Sequence, residues 1–306
     1  MPLIHGLKLR LHSHRSLPVS PGGKRVGIIA GNGQIPSLVI QKIRSHTDSC
    51  GVVVAAHRGE AEPELEQLAD ATLWVRLGQF KRIIRFFKAQ GVTHIVMVGG
   101  ITKTKIWNIR PDTLALKIAS RLRHMQDDHL LRAIAETLES YGFSVCGAHE
   151  LVPELLAPAG VLGSYQPDES LQADFTLGWN MAKAVGALDI GQGVVVRDKV
   201  VLAVEAVEGT DAMLKRAGEL TRGGGCLVKV SKPQQDLRLD MPTVGVSTIK
   251  NLHQAGLTGL AIEAGATMIV DFIETVAEAD RLGVVLMGCE ASQMAEDKEG
   301  KLCHEP

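Results

Sequence analysis

Arg25-Val26-Gly27-Ile28-Ile29-Ala30-Gly31-Asn32-Gly33-Gln34-Ile35-Pro36 is the stretch on which the fold turns. A short apolar run ends in a Gly-x-Gly turn, and Pro36 stands where a first helical position belongs. A buried strand feeding a helix through a glycine turn is the opening unit of an α/β sheet. The unit recurs downstream. Gly51–Ala56 is a second apolar run, Glu62–Ala69 reads as helix, and Thr72–Leu77 alternates. Gln79–Gln90 repeats apolar residues at helical spacing, with Gly91 placed as a C-terminal cap. His94–Val98 is a further strand and Gly99-Gly100 follows it. Helices over Thr113–Arg123 and Asp128–Tyr141 and a strand over Gly142–Cys146 continue the rhythm. Nearly continuous apolar strands alternating with helices predict a parallel sheet covered on both faces.

The chain has 306 residues, enough for two domains of about 150. A composition of 45% hydrophobic and 22% charged residues is that of a soluble globular protein. A net charge of −1 and 4% aromatics leave neither a basic footprint nor stacking platforms, so nucleic acid is not an expected partner. The five cysteines are odd in number and form no C-x-x-C pair, which points to a reducing, cytoplasmic compartment and away from a cysteine zinc site. No apolar run reaches the ~18 residues of a membrane span. Pro153, Pro158, Gly160, Gly163 and Pro167 break the pattern. We therefore expect an N-terminal α/β domain over 25–160 and a C-terminal α/β domain over 161–290. A basic extension over 1–24, without the apolar core of a secretory signal, and a polar tail over 291–306 flank them.

Carboxyl ends of parallel strands form the crevice where ligands sit, so Gly31, Gly33, Gln34, Gly99 and Gly100 are expected on one rim. They are either tight turns or contacts to a sugar or phosphate. The turn departs from a dinucleotide fingerprint: Pro36 replaces the third glycine, and Ala55-Ala56-His57-Arg58 offers no acid for a ribose. That counts against an NAD(P)-dependent oxidoreductase. Asp127-Asp128 is either a helix start or a Mg²⁺ ligand pair, and His149-Glu150 reads as a solvated turn.

The second half carries denser chemistry. Val194–Val196, Arg197-Asp198-Lys199 and Val200–Ala206 read as a hairpin, with Val201, Ala203, Glu205 and Val207 on one face. A carboxylate in that apolar row calls for a partner or a metal. Thr210 is a natural N-cap, and Glu205, Glu208 and Asp211 gather at the helix start, more acids than a cap needs. Lys229 and Lys232 follow on the next strand. Arg238-Leu239-Asp240 reads as strand, with Arg238 and Asp240 on a shared face. Cations beside carboxylates are either a salt-bridge ladder or the apparatus of phosphoryl transfer. There is no Walker A motif.

Leu188–Gly193 (LDIGQG), Val201–Leu214 (VLAVEAVEGTDAML) and Leu237–Gly245 (LRLDMPTVG) resemble the LpxI-type UDP-2,3-diacylglucosamine pyrophosphatases of lipid A biosynthesis. The AGNGQIP turn, Gly99-Gly100, Asp127-Asp128 and Gly147–Glu150 fall in matching order. The resemblance implies a Rossmann-like N-terminal domain joined to a C-terminal α/β domain. It implies Mg²⁺-dependent hydrolysis of a lipid-linked nucleotide sugar to lipid X and UMP, a homodimer, and peripheral contact with the inner membrane. The family's essential aspartate carries over to Asp240. Asp127, Asp128, Glu205, Glu208 and Asp211 are then the pool of metal ligands. Thr210, Lys229, Lys232 and Arg238 become substrate contacts, with the glycine rim. A nucleotide-sugar sensor without turnover is the other reading.

Overall fold

The opening stretch is a strand and a helix, β1 (Arg25–Ala30) and α1 (Ile35–His46), in the computed structural model, which describes residues 25–46, 50–101, 111–120 and 127–295. An alternating run follows: β2 (Gly51–His57), α2 (Leu65–Leu68), β3 (Ala71–Val75), α3 (Phe80–Ala89), β4 (His94–Val98), α4 (Thr113–Ala119), α5 (Asp127–Ser140) and β5 (Ser144–Val145). These strands form one five-stranded parallel sheet in the order β3-β2-β1-β4-β5. Ile28, Val52 and Val54 face one apolar cluster with Val39 and Ile40 of α1. Ile29, Val53 and Ile95 face another with Phe87 of α3 and Leu138 of α5. Burial on both faces is why these strands are continuously apolar.

The chain then forms α6 (Ala148–Leu151), β6 (Gly160–Val161), α7 (Glu169–Ala187), β7 (Gly193–Arg197), β8 (Val200–Val204), α8 (Gly209–Leu220) and β9 (Cys226–Lys229). It ends with β10 (Thr243–Val244), α9 (Val246–Gln254), β11 (Gly259–Glu263), β12 (Met268–Ile269), α10 (Phe272–Leu282), β13 (Val285–Cys289) and α11 (Ala291–Ala295). The second sheet is mixed and six-stranded, in the order β6-β13-β11-β9-β7-β8. β9, β11 and β13 run parallel, and β7 runs antiparallel between β8 and β9. The carboxyl ends of β8, β9, β11 and β13 therefore share one rim. The α/β class expected from the sequence is the class observed, with a parallel sheet first and a mixed sheet second.

The expected hairpin is β7–β8. Asp198 (φ 52°) and Lys199 (φ 60°) are both left-handed, the two-residue geometry that suits strand twist. Their amides donate to the Asp174 carboxylate at 3.0 and 2.7 Å. Asp174 belongs to α7 and is only 3% exposed, so a buried acid fixes the turn of a hairpin that packs against its helix. α7 begins earlier than expected because Asp168 caps it, accepting from the Leu171 amide at 2.8 Å. Burial pushes the Cys146 and Cys289 thiols up to about 12, which leaves both protonated and unreactive at neutral pH. Among the described residues no helix is long and apolar enough to cross a membrane. The expected 1–24 extension and most of the 291–306 tail lie outside the described residues.

Candidate functional site

β1 and β4 are neighbours in the first sheet, and just beyond their carboxyl ends the backbone pairs across. The Asn32 amide donates to the Gly100 carbonyl at 2.8 Å and the Gly100 amide to the Asn32 carbonyl at 3.2 Å. The Gly31 amide donates to the Val98 carbonyl at 2.8 Å. A Cβ on Gly31 would fall onto the Gly100 carbonyl oxygen and lie 2.8 Å from the Gly99 carbonyl group. Gly31, Gly99 and Gly100 thus answer to one another's main chains. The Gly31 and Asn32 amides are spent on that pairing and are not presented to a phosphate. Gly33 (φ 88°) and Gln34 are exposed, with open space around Gly33.

No acid stands at the end of β2 in the sequence, yet the fold brings one to this rim. The Glu60 and Ala61 amides turn back onto the His57 carbonyl, and the Asn32 side-chain amide donates to Glu60 Oε2 at 3.0 Å. Glu60 is 6% exposed and His57 7%. The reversal over 58–61, signalled only by Gly59, is what carries Glu60 there. Burial pulls the His57 imidazole down to about 4, against the pull of Glu60. At pH values between 6.5 and 4 the unfolded chain takes up a proton that the folded chain refuses. This contribution to stability is therefore whole above pH 6.5 and is lost as pH falls towards 4, by about 3 kcal/mol. Urea melts from pH 7 to pH 4.5 check it: His57→Gln flattens the decline in that window, and an unchanged slope contradicts it.

On the second sheet's rim, Glu205 lies just past β8 and is 7% exposed. The Thr210 hydroxyl donates to Glu205 Oε1 at 2.7 Å. The Lys229 ammonium, at the end of β9, donates to Thr210 Oγ1 at 3.1 Å and to the Thr243 carbonyl at 3.2 Å. Glu205, Thr210 and Lys229 are thus brought together, an acid and a cation joined through one hydroxyl. The expectation that Thr210 caps α8 is corrected: Glu208 holds the N-cap position, and the Thr210 hydroxyl is drawn to the buried carboxylate. The expected apolar row is also corrected, since β8 ends at Val204 and Val207 is exposed. Glu208 pairs with Arg216 at 2.7 Å, and Asp211 accepts from Asn251 Nδ2 at 2.8 Å. The acids of this helix start are therefore parted among separate partners.

Lys232 pairs with Asp189 at 2.6 Å. From there the chain leaves the rim in a loop that reaches the first sheet. The Arg132 guanidinium donates to the Gln234 carbonyl. Leu237 and Met241 pack into the cluster around Ile28 and Val52, and Leu239 into the one around Val53 and Phe87. The strand expected over Arg238–Asp240 is corrected: these residues form turns, with the Leu239 and Asp240 amides both donating to the Asp236 carbonyl. Arg238 does not pair with Asp240. Its guanidinium grips Asp236 at 2.8 Å and reaches Glu139 at 3.2 Å and the Val145 carbonyl at 3.4 Å. That guanidinium holds the Asp236 carboxyl below the usual range. Asp240 is exposed, and its Oδ2 accepts from Gln235 Nε2 at 2.8 Å. His149, expected in a solvated turn, lies in α6, with its imidazole pulled down by burial against the opposing fields of Glu150 and Asp236.

Mg²⁺ takes one or two carboxylates and fills its octahedron with waters and phosphate oxygens. Among the described residues no three acids, histidines or cysteines gather as a ready donor set. Glu205 fits a smaller role: its Oε2 is buried and lacks a hydrogen-bond partner. The main chain of Asp127 and Asp128 opens α5, and their side chains lie outside the described residues.

The chain matches the LpxI N-terminal domain over residues 25–155 and the LpxI C-terminal domain over 158–287. The UDP-2,3-diacylglucosamine pyrophosphatase LpxI of Caulobacter vibrioides is 36% identical over 283 residues, covering 88% of this chain and 99% of that protein. Two solved structures that the chain resembles are more distant. L-threonine dehydrogenase from Phytophthora infestans shares 16% identity over 40% of this chain and 38% of that one, with a TM-score of 0.25. The biotin carboxylase domain of the Hydrogenobacter thermophilus 2-oxoglutarate carboxylase shares 18% over 58% of this chain and 35% of that one, at 0.27. Likeness at that level carries no argument. Both halves of the sequence and a nearly full-length relative lead to one conclusion: the chain belongs to the LpxI family.

Proposed function

We propose that this chain is a hydrolase that cleaves the pyrophosphate bond of UDP-2,3-diacylglucosamine, releasing UMP and 2,3-diacylglucosamine 1-phosphate for lipid A synthesis. The observation that carries the reading is kinship along nearly the whole length of a relative with that name. The placing of the charged side chains supports it. Asp240 is an exposed carboxylate, and the Gln235 amide orients one of its oxygens. In this reading the other oxygen takes the proton of the attacking water. The Lys229 ammonium offsets the charge gathering on the pyrophosphate, and Glu205, through Thr210, keeps that ammonium oriented. Lys232 and the exposed Gly33-Gln34 turn are proposed as further substrate contacts. Arg238 supports the Asp240 loop in the free protein, and a direct phosphate contact would require it to leave Asp236.

Mg²⁺, when bound, supplies charge neutralisation at the phosphate oxygens. Glu205, whose buried Oε2 lacks a hydrogen-bond partner, would offer one oxygen to hold it, and Asp127, Asp128, Glu208 and Asp211 stay in the proposed pool. A homodimer and contact with the cytoplasmic face of the inner membrane belong to the same reading and rest on family resemblance. The test is mass-spectrometric identification of products from purified protein and UDP-2,3-diacylglucosamine, with Mg²⁺ or with EDTA. UMP and the sugar 1-phosphate are expected with Mg²⁺ and neither with EDTA. Turnover insensitive to EDTA removes the metal from the proposal. Tight binding without UMP release supports a sensor instead.

A further inference from the structure

Glu263 ends β11 and faces the root of the loop that carries Asp240. Its Oε2 accepts from the Ser231 amide at 2.7 Å and from the Ser231 hydroxyl at 2.6 Å. Lys183 of α7 donates to both carboxylate oxygens, at 2.8 and 2.7 Å, and to the Ser231 carbonyl at 3.0 Å. An ion pair thus takes both main-chain polar groups of a single residue, Ser231, two positions after β9 ends. The pair is largely shielded, with side chains 26% and 14% exposed, and the ammonium also lies 5.2 Å from the Trp179 ring centre. A shielded ion pair of this kind is weak evidence for stability but a precise geometric constraint.

The constraint reaches Asp240 without a gap. Ser231 leads to Lys232, whose amide donates to Gln235 Oε1 at 3.0 Å. Because that oxygen is an acceptor for a main-chain N–H, the other end of the same side chain must be the donor, and Gln235 Nε2 donates to Asp240 Oδ2 at 2.8 Å. The Gln235 amide also donates to the Lys232 carbonyl at 3.0 Å. The four residues between Ser231 and Asp236 thus include a side chain, that of Gln235, which ties the loop root to Asp240.

We propose that Glu263, gripped by Lys183, is a positioning residue for Asp240: it sets the direction in which the chain leaves β9, and Gln235 passes that setting to the carboxylate. The proposal rests on the hydrolysis proposed above, and two independent readouts separate the two. In turnover assays Glu263→Gln places an amide against the Lys183 ammonium and should lower kcat at least about tenfold with KM within about threefold. In an Asp240→Asn background the same change should alter the residual rate by less than about twofold, because the two act through one group. Ser231→Ala, which keeps the main-chain bonds, should fall between wild type and Glu263→Gln and serves if the latter folds poorly. In hydrogen exchange, amides 231–240 of Glu263→Gln should open at least about tenfold faster while the interiors of β9 and β11 keep their protection. A kcat within twofold of wild type, or an equal loss in the Asp240→Asn background, overturns the proposal. If wild type releases no UMP, the proposed hydrolysis fails and exchange alone decides: unchanged protection over 231–240 then refutes the clamp, and faster exchange supports it.

Discussion

Asp240→Asn should release UMP about 10²- to 10⁴-fold more slowly than wild type while binding the substrate within a few-fold as tightly. The side chain is exposed, and among the described residues its one hydrogen bond to another side chain is from Gln235. Asparagine can still accept that bond through its oxygen, so the loop keeps its form and the melting temperature should hardly move. What asparagine cannot do is take a proton from water at neutral pH. Asp236, the carboxylate that Arg238 grips, is the instructive contrast. Its carboxylate is locked to that guanidinium at 2.8 Å, so Asp236→Asn should cost stability by loosening the Glu139 and Val145 side of the loop. Parallel turnover and calorimetry on Asp240→Asn decide the matter. Activity near wild type, or loss explained by unfolding, contradicts the role given to Asp240.

Gly31→Ala should cost at least about 3 kcal/mol, or roughly 6–12 °C in melting temperature. The added methyl would fall on the Gly100 carbonyl oxygen, and the Gly99 carbonyl group is 2.8 Å away. These are main-chain atoms, so no rotamer change relieves the clash. The two strand ends must part, and the paired amides of Asn32 and Gly100 go with them. Gly33→Ala is the control. It has open space around it and a left-handed φ of 88°, so it should cost only about 1–2 kcal/mol in backbone strain. Thermal melts of both variants test the ranking, and equal melting temperatures contradict it.

The strands and helices were legible because burial on both faces writes long apolar runs into β1, β2 and β4, and one-sided burial writes helical spacing into α3. The Arg197–Lys199 turn was legible from its polar residues between two valine runs. Leu237-Arg238-Leu239-Asp240-Met241 misled for a physical reason. Its apolar residues alternate because Leu237 and Met241 enter one cluster and Leu239 another, so a loop between two apolar clusters imitates strand periodicity. Partner choice was not legible. Lys183 and Glu263 are 80 residues apart, and Arg238 meets Glu139 across 99. No local spacing records such pairs. Glu60 was not legible as part of the rim because it lies beyond the end of β2, and a reversal of the chain brings it back to Asn32. The candidate acids were legible as types, but only the fold separates Glu205, buried and joined to Thr210, from Glu208 and Asp211 on their own partners.

The decisive measurement is a time course of UMP formation by purified wild-type protein from UDP-2,3-diacylglucosamine, run beside Asp240→Asn and beside a UDP-sugar that lacks acyl chains. Stoichiometric UMP and diacylglucosamine 1-phosphate from wild type, with the variant slowed by about 10²-fold or more, is the predicted result. Absence of UMP from a folded wild-type protein that binds the substrate, or release of UDP in its place, would contradict hydrolysis at the pyrophosphate.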